Sequence, residues 1–428
     1  MTIQAIGLVF FGLLAIGMPL YLVLGSTAVV MYGLNGDPLV GVFQKMLDGL
    51  NSETLLAVPF FVMAAAFMEK GGVAKAMIDL VALAVGRVRG GMAIVSILAC
   101  TLFAAICGSS VATAMAMGAI LVPAMKSRGY PMPFSLGVLA AAGTLGILIP
   151  PSLAMILYAL IAEESVPRLF LAGVIPGAIQ AALFIGYSMF YAYRHKLPRE
   201  ASIQRARGER RRILLRALPA LSLPAIVGIG IYGGFTTVTE ASVLTAMAAL
   251  LIGAFVYKGF PISDTLGQVA DAVKSAAVIT IIIATALAFA QWLTSSGVPA
   301  AIVEFITEIG LKPWQFLLII NVLLIVMGMF LETVSIMLIT LPILVPLLGP
   351  LGIDPVHFAV VMTINMELAL LTAPVGLNLF VLSNVSKTPL SVVTKGVFPL
   401  ECLLFGLLML VTYIPELSLW LPNLVYGE

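Results

Sequence analysis

Eight hydroxyl- or amide-bearing side chains sit where apolar stretches of the chain are interrupted: Ser109, Ser110, Thr113 and Thr144 in one half, Thr333, Ser335, Thr372 and Asn378 in the other. Beside them lie Gly108, Gly143, Gly146, Pro150 and Pro151, and then Glu332, Ala373, Pro374 and Gly376. Hydroxyls, and carbonyls freed where a helix is broken, are oxygen donors that suit a hard cation. N–H groups freed at a helix start suit an anion. A mid-helix hydroxyl ordinarily bonds back to its own helix, so none of these residues marks a site alone. Their clustering at four irregular points gives them a functional reading.

The four points are two copies of one pattern. ILVP at 120–123, Gly129 and Pro151 return as ILVP at 343–346, Gly352 and Pro374; the offsets 346 − 123, 352 − 129 and 374 − 151 are each 223. Matching interrupted apolar segments in two halves of a membrane chain point to a transporter's binding site. Pro150 and Pro151 cannot donate to a backbone ladder, and an orphan backbone group in hydrocarbon costs several kcal/mol, so such breaks serve a purpose. Glu332 and Glu367 each lie inside a long apolar stretch, where a carboxylate is a functional candidate. Asn365 and Glu240 are weaker candidates of the same kind, His357 reads as interfacial and structural, and His195 belongs to a basic loop. Cys100, Cys107 and Cys402 have no metal-ligand spacing and read as small buried residues.

The elements that must carry these residues follow from composition and charge. The 428 residues are 61% hydrophobic and only 10% charged, against about 25% charged in soluble domains. Many charge-free windows are long enough to cross a bilayer as helix, and no strand alternation suggests a barrel. The chain reads as an all-α polytopic membrane protein with about eleven or twelve membrane segments. Nine of its 22 basic residues fall between Arg194 and Arg216, so this linker is expected in the cytoplasm. Its role is read as topogenic, with nucleic-acid or lipid-headgroup binding as the alternative.

Outward from that linker, the run 92–125 has basic residues at both ends (Arg87 and Arg89, Lys126 and Arg128) and reads as a re-entrant hairpin entering from inside, with its turn near 107–113. The run 315–347 has neutral-to-acidic flanks and reads as a hairpin entering from outside, turning near 330–335. The result is an inverted-topology repeat with two hairpins and two interrupted transmembrane helices. The first half covers 1–193, with scaffold helices in 1–86 and hairpin plus broken helix in 90–162; the linker covers 194–216. The second half covers 217–428, with scaffold in 217–312, hairpin plus broken helix in 315–386 and a final helix over 396–424 that leaves the C-terminus outside. Segments 71–86 and 261–276 carry charges at helical spacing and are expected as amphipathic helices at the interface.

CGSSVATAMAMGAI, GTLGILIPPS, ETVSIMLITLPILVP and LLTAPVGLNLFV, in that order over essentially the whole chain, resemble the large membrane subunit of TRAP (tripartite ATP-independent periplasmic) transporters. The resemblance implies a sodium-coupled secondary importer of an organic acid such as a four-carbon dicarboxylate or a sialic acid. It implies residence in a bacterial or archaeal cytoplasmic membrane, a periplasmic substrate-binding protein, a small four-helix membrane subunit and an elevator motion. Two or more sodium ions are implied. One site involves Ser109, Ser110, Gly143, Gly146 and Pro150, the other Glu332, Thr333, Thr372 and Gly376. Substrate is implied between the tips, near Gly108, Ser110, Thr113, Pro151, Glu332, Ser335, Ala373 and Asn378. The chain departs from the family pattern at Glu332, where Asp is usual, and at Ala373, where a proline is usual.

Two other classes are open to the sequence. GSSV matches a short G-x-S-x serine-protease pattern, with Ser110 as nucleophile and His357 as base, which needs the two within about 3 Å. A passive channel is the other. No G-x-x-x-x-G-K-[ST] loop occurs, so a nucleotide bound by this chain is not its energy source.

Overall fold

The computed structural model describes residues 9–10, 12–14, 16–36, 38–85, 88–197 and 207–427. The expected start of the first scaffold segment (1–8) and the centre of the basic linker (198–206) lie outside the described residues. The fold is all-helical. In the first half, α1 (Leu20–Asn35), α2 (Val40–Leu50), α3 (Glu53–Lys70) and α4 (Val73–Val85) precede the hairpin α5 (Gly91–Cys107) and α6 (Ser110–Ser127). The interrupted helix follows as α7 (Met132–Leu148) and α8 (Leu153–Ala162), then α9 (Val166–Arg194). The second half has α10 (Arg207–Tyr232), α11 (Val238–Leu251), α12 (Thr265–Ser295) and α13 (Val298–Glu308). Its hairpin is α14 (Pro313–Gly328) and α15 (Thr333–Leu348), its interrupted helix α16 (Pro355–Leu371) and α17 (Leu377–Ser386), and it closes with α18 (Leu390–Tyr413) and α19 (Glu416–Tyr426).

The sequence echo is a structural repeat. Starts of α6 and α15 differ by 333 − 110 = 223, those of α7 and α16 by 355 − 132 = 223, and those of α9 and α18 by 390 − 166 = 224. The same register pairs α4 with α13, since 298 − 73 = 225. This corrects one expectation: the counterpart of 71–86 is α13, and 261–276 is not a separate interfacial helix. Residues 265–295 run as one 31-residue helix. The charged faces of Asp271 and Lys274 mark its first turns, which the following apolar stretch carries straight on. The basic linker is also partly helix, because Arg207–Arg216 forms the first turns of α10. The last segment starts at Leu390, earlier than residue 396, and is interrupted between Tyr413 and Glu416 by Ile414 and Pro415.

Among the described residues, seven helical stretches are long and apolar enough to cross a bilayer, with Met132–Ala162 counted through its break. The hairpin arms α14 and α15 have 16 residues each, short of the roughly 20 a full span needs. Helices of like kind from the two halves pack together. α3 lies against α11 and α12, and α7 lies against α16 and α18. Each half-helix after a break packs on the second hairpin arm of the other repeat, α8 on α15 and α17 on α6.

The interrupted helices are the centre. Every residue of α16 from Val356 to Leu371 is buried, as is every residue of α7 from Phe134 to Leu148. A helix apolar on all sides is one surrounded by protein. By contrast α14 turns Ile319, Val322 and Val326 outward, an apolar face suited to lipid tails. The expectation of buried cysteines holds for Cys100 and Cys107 and fails for Cys402, which α18 leaves exposed. Small residues let the central helices touch: Gly137 of α7 and Gly396 of α18 meet backbone to backbone, the small-residue packing that joins membrane helices without a hydrophobic drive.

Candidate functional site: hairpin tips and interrupted helices

The first tip turns on one glycine. α5 ends at Cys107, Gly108 takes a left-handed φ of 61°, and Ser109 returns to extended backbone and caps α6. The Ser109 hydroxyl accepts from Ala112 N at 3.4 Å. Its carbonyl accepts from Thr113 N at 3.1 Å and from the Thr113 hydroxyl at 2.7 Å. In the facing break, the Pro150–Pro151 peptide is cis. Ser152 caps α8, accepting from Met155 N at 3.3 Å and donating back to the Ile147 carbonyl.

Glycines seat this tip on this break. A Cβ at Gly146 would lie 2.8 Å from Ser109 O, one at Gly143 would lie 3.0 Å from Ala114 Cβ, and one at Gly108 would lie 2.7 Å from Pro151 O. Leu153 N donates to Gly108 O at 3.5 Å. Ser109, Ser110, Gly143, Gly146, Pro150 and Pro151 therefore come together as one unit presenting carbonyl and hydroxyl oxygens. Asn378 joins them from the other repeat. Its amide donates to the Ser110 hydroxyl at 2.7 Å and to Ala140 O at 3.1 Å, and its own Oδ1 is buried without a partner.

The second unit is built more openly. Glu332 caps α15 through its backbone alone, and its side chain is exposed. Thr333 is buried, Ser335 half-buried, and Phe330 is 63% exposed. In the break, the Ala373–Pro374 peptide is cis, as at the equivalent first-half position, and Gly376 has a φ of 39°. Ala373 and Pro374 are exposed. The Thr372 hydroxyl lies 2.7 Å from both Leu368 O and a carboxylate oxygen of Glu401 on α18. Among the described residues no hydrogen bond joins Glu332 or Thr333 to Thr372 or Gly376.

The asymmetry has a geometric origin. In the first repeat Ser109 sits on Gly146. In the second, Ala369 (the counterpart of Gly146) is met by Gly328, the counterpart of Ala105. The second hairpin thus meets its interrupted helix at Gly328, the end of its first arm.

The remaining candidates separate cleanly. Glu240 completes a capping box with Thr237, accepting from Thr237 N at 2.8 Å. Asn365 donates to Asn321 Oδ1 at 2.7 Å, and Asn321 donates to the Thr412 hydroxyl at 3.0 Å, an amide relay across α16, α14 and α18. Glu367 is fully buried with Thr144 and Gln180. His357 faces Ser418 at 3.4 Å while Ser110 is held by Asn378, so the Ser110–His357 pair that the protease reading needs is not formed. A His357→Ala variant should keep its transport activity unchanged, measured as initial uptake rate in proteoliposomes; a loss would return His357 to the site.

Gln180, Glu401 and Asn321 escaped the sequence reading. Each is a polar residue inside a mostly apolar helix, and the partners lie 36 and 187 positions away for Gln180, 29 for Glu401, and 44 and 91 for Asn321. Only their presence in otherwise apolar spans could have singled them out.

The chain matches the family described as the tripartite ATP-independent periplasmic transporter, DctM component, over residues 8–417. It is similar to the C4-dicarboxylate TRAP transporter large permease protein DctM of Pseudomonas aeruginosa, 41% identical over 400 residues that cover 93% of each chain. It is also similar to the protein of that name from Rhodobacter capsulatus, 38% identical over 98% of this chain and 99% of the relative. Among solved structures, its fold resembles the YdaH transporter of Alcanivorax borkumensis, with a TM-score of 0.69 at 15% identity over 97% of this chain and 99% of that one. With its inverted repeat, paired breaks and whole-length match, the chain belongs to the DctM family of TRAP transporter large permease subunits.

Proposed function

We propose that this subunit is a sodium-coupled importer of a four-carbon dicarboxylate, working by an elevator motion of its hairpins and interrupted helices against the scaffold. The observation that carries the reading is the pairing of each interrupted helix with a hairpin at equivalent repeat positions, since the end of a broken helix leaves carbonyls without intrahelical partners. Ser109, Ser110, Gly143, Gly146 and Pro150 would serve one sodium ion, and Glu332, Thr333, Thr372 and Gly376 another. Substrate would meet Gly108, Thr113, Pro151, Ser335, Ala373 and Asn378 between them. The substrate class is taken from the names of the two DctM relatives. The family's tripartite description supports a periplasmic binding protein and a second, small membrane subunit. The family resemblance supports a cytoplasmic membrane, and the charge distribution supports the basic linker inside and the C-terminus outside.

Reconstitution tests the proposal. Proteoliposomes holding this chain and the small subunit, given the binding protein loaded with a four-carbon dicarboxylate, should accumulate substrate only under an inward sodium gradient. A loaded carrier with one net positive charge would gain about 2.3 kcal/mol per 100 mV of inside-negative potential, so uptake should also rise with voltage. Uptake indifferent to collapse of the sodium gradient would overturn the coupling, and a non-saturating ohmic current would replace the carrier with a channel.

A further inference from the structure

Thr144 and Glu367 occupy equivalent positions of the two repeats, 223 residues apart, and they touch. The Thr144 hydroxyl lies 3.3 Å from Glu367 Oε2. Gln180 of α9 reaches the same point, its Nε2 donating to Glu367 Oε2 and to the Thr144 hydroxyl, the latter at 3.1 Å. The Thr144 hydroxyl also lies 2.9 Å from Ala141 O. All three side chains have zero exposure.

Two atoms of the cluster have no partner: Glu367 Oε1 and Gln180 Oε1. Both are oxygens, and both are acceptors when the carboxyl is ionised. Buried polar atoms are nearly always satisfied, and an ionised carboxylate removed from water needs a counter-charge. No Lys, Arg or His among the described residues pairs with Glu367; the helices that carry the cluster bring only neutral donors to it.

We propose that Glu367 holds a proton on Oε1 and donates it to Gln180 Oε1, closing a cyclic acid–amide pair. One hydrogen then accounts for the whole cluster. The acid O–H meets the amide oxygen, one amide N–H meets the acid carbonyl, the other meets Thr144, and the Thr144 hydroxyl is left for Ala141 O or Glu367 Oε2. Exchanging the amide nitrogen and oxygen of Gln180 does not remove the requirement. The amide oxygen would then face Glu367 Oε2, and only a proton between them would make a bond. A carboxylic acid here ties the repeats together without adding net charge to the membrane centre. The proposal concerns this centre alone and stands whether or not sodium drives uptake.

Infrared difference spectroscopy on the full-length protein in lipid near neutral pH tests it. Glu367→Gln keeps the shape and supplies an N–H in place of the O–H. Subtracting its spectrum from the parent's should reveal a protonated-carboxyl C=O band that the variant lacks. Gln180→Leu keeps the carboxyl and removes its partner, and it should shift the same band to higher frequency, so the result does not depend on one variant folding. Loss of an ionised-carboxylate band in Glu367→Gln, or a Glu367 carboxylate band that moves on adding sodium chloride, would overturn the proposal and assign the centre to a cation.

Discussion

Gly396→Val should strip the protein of its stable fold, lowering its unfolding temperature in detergent and the yield of monodisperse protein. Two effects of a side chain at this position oppose each other. Removing a glycine from a helix interior contributes up to about 1 kcal/mol through reduced chain freedom. Against that, a Cβ on Gly396 would run into the Pro133 carbonyl, with Gly137 N only 3.2 Å away. Both obstacles are backbone of α7 and cannot swing aside as a side chain would. Overpacking of this kind costs ~3 kcal/mol or more when the backbone itself must shift. The clash wins, and even Gly396→Ala should be destabilising. An alanine variant with an unchanged unfolding temperature would show that α7 and α18 separate more easily than their contact suggests.

Gly146→Val should leave the protein in the membrane but reduce uptake by tenfold or more. A Cβ there would meet Ser109 O at 2.8 Å and Ser109 C at 2.9 Å, so the first tip must lift off the interrupted helix. Losing about 1.4 kcal/mol of ordering at the tip already corresponds to a factor of ten. The matching change in the second repeat, Ala369→Val, is a useful contrast. Ala369 already carries a Cβ and meets Gly328, so the added methyls act on the hairpin arm below the tip. Its effect on uptake should be smaller than that of Gly146→Val. Initial rates measured at equal reconstituted amounts of both variants distinguish the two; equal losses would mean that the tips do not differ in how tightly they are seated.

The architecture was legible because proline and glycine punctuate it. Gly108, the Pro150–Pro151 pair and Pro374 interrupt apolar runs, and the spacing of 223 betrays the repeat before any coordinates. Charge gave the hairpins their boundaries for the same reason: basic residues cannot stay in hydrocarbon and so collect at its edges. Charge misled where it described a helix end rather than a helix, at Asp264, Asp271 and Lys274, which lead without interruption into the apolar body of α12. The first tip and the first break could each be read as a local interruption of an apolar run, the one at Gly108–Ser110 and the other at Pro150–Pro151. What could not be read was contact between repeats. Asn378 holding Ser110 from 268 residues away, and Gln180 meeting Glu367, depend on how two helical layers interleave. The offset of the second hairpin against α16 was also invisible, because it lies in which small residue faces which, and Gly328 and Ala369 are unremarkable in their own segments.

The contact of Thr144 with Glu367 carries a consequence for the two halves. At the axis of two identical halves, a residue meets its own copy, as in any isologous pair. An assembly of two separate, identical chains could set only threonine against threonine or glutamate against glutamate at this point. The latter would press two carboxyls together in a site with no room for water. Threonine opposite glutamate is open only to halves that are spelled independently, as the two halves of this polypeptide are. Carrying both halves in one chain thus leaves the positions nearest the axis free to differ, and at 144 and 367 they do.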